Sequence, residues 1–262
     1  MMQFERSKFR EIPERLFHYT KPDAAWNIVT GGPAGQLCFL LKDAKSKNDS
    51  AELILGVSLL EKVRSYLSNK GQSSILEQIK NFDKVYLNSF TETGDIKHMI
   101  ETYGNVRLEF DFRHIPLEVQ LRECDYVKTP DVEELVKLYC KDLELTNEKR
   151  AEMRENRDCL FNYLNLQMGM IASIPLLKDV EKWGEEREWR QVFCSQPNDE
   201  FISLFQEESL RLKKTYPLHS LIGITIFADR KQKKETLRYY YRLKTWLKSK
   251  GLKTKIRIQY QW

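Results

Sequence analysis

The sequence predicts a single α+β domain, and three of its properties lead to this fold class. With 262 residues, 41% hydrophobic and 31% charged, the chain has a globular composition and can bury a core. Short β-type segments alternate with helical ones along the sequence. Their spacing is too irregular for a doubly wound sheet, and we find no internal repeat. We therefore expect one domain over residues 1–262.

The first half of the chain is predicted to alternate strands and helices. Thr20 is the expected N-cap of the first helix, with Pro22 in the first turn and Gly31 after the last. Apolar runs and alternating patterns predict the strands. The predicted strands are Arg15–Tyr19, Leu37–Leu41, Val85–Phe90 and Val106–Phe112, and the predicted helices cover Ala24–Thr30, Ala51–Leu67 and residues 95–104.

The second half is predicted to carry a helical insertion at about residues 131–178 and a basic helix–strand unit at 229–262. In the final segment apolar and polar residues alternate strictly, which predicts a half-buried strand. The predicted elements after the insertion are strands at Trp189–Cys194 and Leu221–Phe227, a helix from about Lys231 to Lys250 that ends at Gly251, and a strand at Lys255–Trp262.

Positive charge is concentrated at the end of the chain. The net charge is +5, but residues 211–262 contain 15 Lys and Arg against only Asp229 and Glu235. A segment this basic attracts a nucleic-acid backbone, an acidic protein or the pyrophosphate of a dinucleotide. The alternative is a solvated basic helix face without a ligand.

The N-terminal residues and the cysteines indicate a cytoplasmic protein. Charged residues are scattered through the first 17 positions, so no apolar signal region is present, and no apolar run reaches membrane-spanning length. The five cysteines include no C-x-x-C pair, which predicts reduced thiols and no zinc site. We therefore expect no membrane and no metal as partners.

Three short motifs carry residues suited to chemistry: Phe17–Thr20, Asn88–Thr91 and Trp183–Arg190. In this order they resemble an uncharacterised bacterial family with Y-H-Y-T-like and W-x-x-E-x-E-W-R motifs, and the resemblance covers most of residues 15–228. The matching positions are His18-Tyr19-Thr20, Asn48-Asp49 with Glu52, Ser89-Phe90 in inverted order, Tyr103-Gly104, Phe110-Asp111, and Trp183 with Glu186, Glu188, Trp189 and Arg190.

That family in turn resembles the ADP-ribosyltransferase superfamily, which implies split mixed sheets flanked by helices and NAD+ as substrate. By this resemblance His18 holds an NAD ribose and Glu188 contacts a ribose 2′-hydroxyl. An aromatic ring stacks on nicotinamide, with Phe90, Tyr103 and Tyr19 as candidates. The implied NAD-binding residues are His18, Tyr19, Thr20, Ser89, Phe90, Tyr103 and Arg190.

The residue types suit this reaction. Cleavage of the nicotinamide–ribose bond passes through an oxocarbenium-like state, which a carboxylate such as Glu188 stabilises where water is excluded. Glu186, two residues earlier, is expected on the same strand face, where it can orient or deprotonate the acceptor. Either Arg187 or Arg190 suits the pyrophosphate. The hypothesis requires that His18 and Glu188 converge on one pocket.

The leading functional hypothesis is an NAD-dependent ADP-ribosyltransferase, a bacterial toxin or anti-phage defence effector that modifies RNA or DNA and is restrained by an antitoxin protein. A protein acceptor is one alternative. Another is a catalytically inactive sensor of the same fold that binds a nucleotide or nucleic acid. A metal-dependent nuclease lacks the expected ligand spacing. The residues expected to contact phosphates are Lys231, Lys233, Lys234, Arg238, Arg242 and Lys244.

Each candidate residue also has a structural interpretation. His18 before a helix is often a partly buried, hydrogen-bonded residue. Glu185, Glu186 and Glu188 can form an acidic turn paired with Lys182 or Arg187. Which interpretation holds depends on how the strands place these side chains.

Overall fold

The computed structural model describes residues 13–42, 62, 65, 68–69, 85–94, 97–115, 121–127, 177–179, 184–194, 200–203 and 210–260. The described residues form an α+β fold with one large mixed sheet and two smaller sheets. The predicted helix at Ala51–Leu67 and the predicted insertion at 131–178 lie almost entirely outside the described residues.

The large sheet has seven strands in the order β12-β11-β4-β1-β3-β8-β5, a second sheet has the order β2-β10-β9, and β6 pairs with β7. The strands are β1 (Arg15–Thr20), β2 (Gln36–Leu41), β3 (Val85–Thr91), β4 (Val106–Asp111), β5 (Leu121–Glu123), β6 (Asp125–Val127), β7 (Leu177–Asp179), β8 (Glu188–Cys194), β9 (Phe201–Ile202), β10 (Arg211–Pro217), β11 (Leu221–Ala228) and β12 (Lys255–Tyr260). The α-helices are α1 (Pro22–Thr30), α2 (Lys97–Tyr103) and α3 (Lys233–Ser249).

The register of the large sheet defines its two faces. Phe17 pairs with Thr91 across β1 and β3, and Thr91 pairs with Glu188 across β3 and β8. Directly paired residues point to the same side of a sheet, so these three side chains share what we call the carboxylate face. Their neighbours along each strand, including His18 and Phe90, point to the other side, the core face.

The core face contains the main hydrophobic cluster. Leu16, Phe90, Leu108 and Trp189 from the large sheet pack there with residues of the second sheet, α1 and α3. The ring of Phe90 contacts those of Phe110 and Phe112 at centroid distances of 5.7 and 4.9 Å, in edge-on arrangements that aromatic pairs favour. Burial of this face is the main source of stability.

The carboxylate face is covered in part by α2. Tyr19 and Phe227 of the sheet form a small separate cluster with Met99 of α2. The guanidinium of Arg107, only 2% exposed, lies 4.7 Å from the centroid of the Phe17 ring. This face therefore combines a few apolar contacts with buried charge.

A parallel crossover forms one end of the large sheet. β11, α3 and β12 follow one another, and Thr225 of β11 pairs with Arg257 of β12 in a parallel register. Leu243 and Leu247 of α3 are buried in the core cluster because they recur on one side of the helix. Gly251, at φ 68°, follows the helix as the sequence predicts.

Most strands predicted from apolar patterns are confirmed within a residue or two, and so are the helices that became α1, α2 and α3. The predicted N-cap at Thr20 is wrong. Thr20 is the last residue of β1, and Lys21 precedes α1 without a side-chain cap. Gly104, at φ 132°, ends α2, and a Cβ there would lie 2.4 Å from the carbonyl carbon of Thr20.

Candidate functional site

A tight turn before β8 presents the two predicted carboxylates. Gly184–Glu186 form a 3₁₀ turn, and β8 begins at Glu188. Between them Arg187 has φ 42°, a left-handed conformation that costs a non-glycine residue about 1–3 kcal/mol. The Thr91 hydroxyl donates to the carbonyl of Glu186, and the amide of Glu92 donates to the carbonyl of Arg187 at 3.3 Å. These bonds hold the strained turn against β3.

Glu186 is buried under α2. Its residue is 1% exposed, and its Oε1 lies 3.4 Å from the Tyr103 hydroxyl and 3.3 Å from Nε2 of His98. His98 is 45% exposed, so the imidazole separates the buried carboxylate from solvent. The structure thus brings Glu186 and Tyr103 together and adds His98, which no sequence motif singled out.

Glu188 is fully engaged by Arg190. Nε of Arg190 lies 2.7 Å from Oε1 and its Nη2 lies 3.0 Å from Oε2, and both side chains are 5% exposed. Because the two residues are two positions apart on β8, they share the carboxylate face. A bidentate contact of this kind occupies both carboxylate oxygens. In this arrangement the two groups bind each other and are buried, and the pyrophosphate role of Arg190 stays a prediction.

The expectation that Glu186 and Glu188 lie on one strand is therefore wrong, although both carboxylates lie on or beside the carboxylate face. Glu186 and Glu188 do not lie on one strand, since Glu186 belongs to the preceding turn. The left-handed Arg187 between them breaks the two-residue alternation on which the expectation depended. The carboxylates consequently have different partners, His98 and Tyr103 for one and Arg190 for the other.

His18 lies on the opposite side of the sheet from Glu188. Its Nδ1 donates to the carbonyl of Ser89 at 2.9 Å, and its ring centroid is 5.4 Å from that of Phe39 and 5.8 Å from that of Phe90. These contacts place the imidazole among the rings of the core face. The convergence of His18 and Glu188 that the hypothesis requires does not occur.

The other residues expected to bind NAD are divided between the two faces. Phe90 is 2% exposed, and its ring packs within the core cluster. Tyr19 lies on the carboxylate face, where its hydroxyl donates to the carbonyl of Gly94 at 2.7 Å. Ser89 pairs with Arg190 across β3 and β8, and Thr20 is buried at the end of β1. These residues do not form one dinucleotide pocket.

A buried polar group on the core face was not foreseen. The hydroxyl of Tyr216, from the second sheet, donates to Oε1 of Gln191 and accepts from Asn88 at 3.5 Å. All three residues are at most 3% exposed, and burial raises the pKa of Tyr216 well above its usual range. These bonds link the two sheets through polar contacts inside an otherwise apolar layer.

The predicted phosphate-binding residues are on the surface, but on the other side of the sheet from the carboxylates. α3 packs on the core face, and the guanidinium of Arg242 lies 3.7 Å from the Trp26 ring of α1. Lys244 contacts Tyr240, with 3.4 Å between Nζ and the hydroxyl. The exposed members of the predicted set are Lys231, Lys233, Lys234, Arg238, Arg242 and Lys244.

Searches for other features and for relatives give negative results. Within the described ranges, no helix combines the length and apolarity needed to cross a bilayer. Among these same residues, no group of three or more His, Cys, Asp or Glu side chains is arranged to hold a metal ion. Comparisons with protein-family models, with curated proteins and with solved structures find no match to this chain.

Proposed function

We propose that this protein is a nucleic-acid-binding domain in which Glu188 stabilises the fold and does not cleave NAD. The observation that carries the proposal is the basic unit at residues 229–260. All 12 of its Lys and Arg side chains are exposed, against two acidic residues, Asp229 and Glu235. Within the described part of the chain none of these 12 residues forms a salt bridge with a carboxylate. Unpaired surface charge of one sign is the electrostatic footprint of a phosphate-backbone ligand.

The start of α3 supports a ligand role for these charges. Lys233 and Lys234 occupy its first turn, and Arg230 and Lys231 lie in the 3₁₀ turn just before it. The N-terminus of a helix is the positive end of its dipole, so each cation there costs about 0.3–1 kcal/mol. The first turn keeps two cations beside one acid, Glu235. A residue that lowers local stability often marks a position where function determines the residue type.

The carboxylates support the same proposal because their partners are inside the protein. Both oxygens of Glu188 are bound by Arg190, and His18 lies across the sheet from them. Cleavage of a glycosidic bond needs a carboxylate that reaches the sugar. A closed ion pair supplies instead a buried electrostatic contact between neighbouring positions of β8.

One experiment on the purified protein tests this function. Fluorescence anisotropy with labelled single-stranded RNA and DNA is expected to show binding, with the logarithm of affinity falling linearly as the logarithm of salt rises. In parallel, prolonged incubation with NAD and chromatography for free nicotinamide is expected to show no release. Absence of binding to either nucleic acid, by a protein with an intact circular-dichroism spectrum, would contradict the proposal.

A second candidate function is ADP-ribosyl transfer centred on Glu186, in a toxin or defence effector of the kind the sequence motifs suggest. The observation that favours it is the strained Arg187 beside a buried carboxylate that contacts His98 and Tyr103. Strain of this type is enriched at functional sites. Nicotinamide release that Glu186→Gln abolishes, with an unchanged melting temperature, would establish this function in place of the first.

A further inference from the structure

We propose that the nucleic acid is bound along the edge strand β12, through Lys255 and Arg257, and not along the Lys234–Arg238–Arg242 stripe of α3. The inference rests on the proposed function and names its contact surface. The partner it fits is a single-stranded RNA or DNA whose phosphates follow the strand.

The position of the strand supports this assignment. Among the described strands β12 lies at one end of the large sheet, so one of its edges faces outward. Lys255 and Arg257 alternate with Ile256 and Ile258, and both basic residues are exposed. Side chains two positions apart on a strand point the same way and lie about 7 Å apart. The pair thus forms a short basic row along an accessible edge.

Arg257 is held in a fixed orientation. Its Nε donates to the Thr225 hydroxyl at 2.7 Å, and Thr225 itself is 2% exposed. Nη2 of Arg107 lies 3.3 Å from the same hydroxyl, and this second contact further fixes the position of the Thr225 hydroxyl. With Nε used in this way, the two terminal amino groups of Arg257 remain for bidentate contact with a phosphate. A side chain already ordered loses less conformational entropy when it binds.

The basic row points to the carboxylate face, because Arg257 pairs with Thr225 and Thr225 pairs with Arg107. Tyr260, 39% exposed, ends the same strand with its ring on the side of Ile256 and Ile258, opposite the basic row. Lys244 and Lys248 of α3 are exposed as well, and α3 packs on the core face. The sheet therefore separates the basic row of β12 from the charges of α3.

The basic side chains of the α3 stripe differ from Arg257 in how they are oriented by their contacts. Arg242 is engaged with the Trp26 ring at 3.7 Å, toward α1 and away from the sheet edge. Lys234 and Arg238 are exposed and have no side-chain hydrogen bond to a described residue that would orient them. They add to the general positive field, but no contact positions them for a phosphate.

A comparison of two double variants tests the inference. Lys255→Gln with Arg257→Gln and, as the matched control, Lys234→Gln with Arg238→Gln remove the same charge from exposed positions. Anisotropy with labelled single-stranded RNA and DNA is expected to show about a tenfold loss for the β12 variant and a reduction of the salt slope by about two. The α3 variant is expected to lose no more than about twofold. Arg257→Lys keeps the charge, so it should weaken binding while leaving the salt slope unchanged.

The possible outcomes separate the two proposals. Equal losses from both double variants would overturn the β12 assignment and leave nucleic-acid binding intact as a diffuse charge effect. Binding that survives the β12 substitutions would also overturn it, and the charges would then serve to prevent edge-to-edge pairing of β12. Failure of the unmodified protein to bind nucleic acid, or binding only to an acidic protein, would overturn the proposed function itself.

Discussion

The two faces of the large sheet differ in how they treat polar side chains. On the core face His18 lies among aromatic rings, and its Nδ1 donates to the backbone carbonyl of Ser89. On the carboxylate face Glu188 and Arg190 form a closed buried ion pair beside the Glu186–His98 contact. The sequence motifs assigned His18 and Glu188 to one site, but the two side chains lie on opposite faces of the sheet. The difference shows that strand parity decides whether two polar residues share a site.

Truncation of one phenylalanine on each face provides the largest expected contrast. Phe90→Ala should lower the free energy of unfolding by about 3–5 kcal/mol because it leaves a cavity in the core cluster. Phe17→Ala, on the carboxylate face, should cost clearly less, since Phe17 is only half-buried and packs against the small cluster. Urea denaturation of the two variants measures both values. A larger loss for Phe17 than for Phe90 would reverse the assignment of the core face.

Ion pairs on the carboxylate face should differ with burial, and Asp111 gives the smallest expected effect. The hydrogen bond from Arg113 lowers the pKa of Asp111, and the side chain of Arg113 is 62% exposed. A lowered pKa contributes stability above the ordinary carboxyl range, and this is lost as pH falls through the lowered value. Arg113→Gln should raise that pKa toward the ordinary range, as followed by NMR titration of the carboxyl.

Arg113→Lys serves as the control because it keeps the charge while losing the two-nitrogen contact. An intermediate pKa is expected for that variant. The backbone amide of Arg113 also donates to Asp111 at 3.1 Å, so part of the lowering should persist in both variants. A pKa of Asp111 that neither substitution moves would show that Arg113 does not set it.

The sequence predicted the elements whose hydrophobic pattern is local. β11, α3 and β12 follow from apolar runs and periodicity, and Gly104 and Gly251 mark helix ends through their backbone conformations. β10 was missed because Arg211, Lys213 and Lys214 obscure its alternation. The three-residue strands β5, β6 and β7 are too short to carry a pattern.

The candidate site could be predicted only in part. The sequence singled out Glu186, Glu188, Arg190 and Tyr103, and the structure places all four on or beside the carboxylate face. It could not assign the partners, because contacts such as that of His98 with Glu186 join distant positions. Nor could it separate His18 from Glu188, since a one-residue change in register moves a side chain to the other face.

A double-mutant cycle on Glu188 and Arg190 tests most directly the central claim that this carboxylate is structural. Breaking a buried pair leaves an uncompensated charge and costs about 3–5 kcal/mol. We expect Glu188→Gln and Arg190→Met each to lower the free energy of unfolding by about that much, and the double variant by much less than their sum. Wild type should release no nicotinamide from NAD. Two results together would contradict the claim. Wild type would release nicotinamide measurably, and Glu188→Gln would abolish that release without changing the free energy of unfolding.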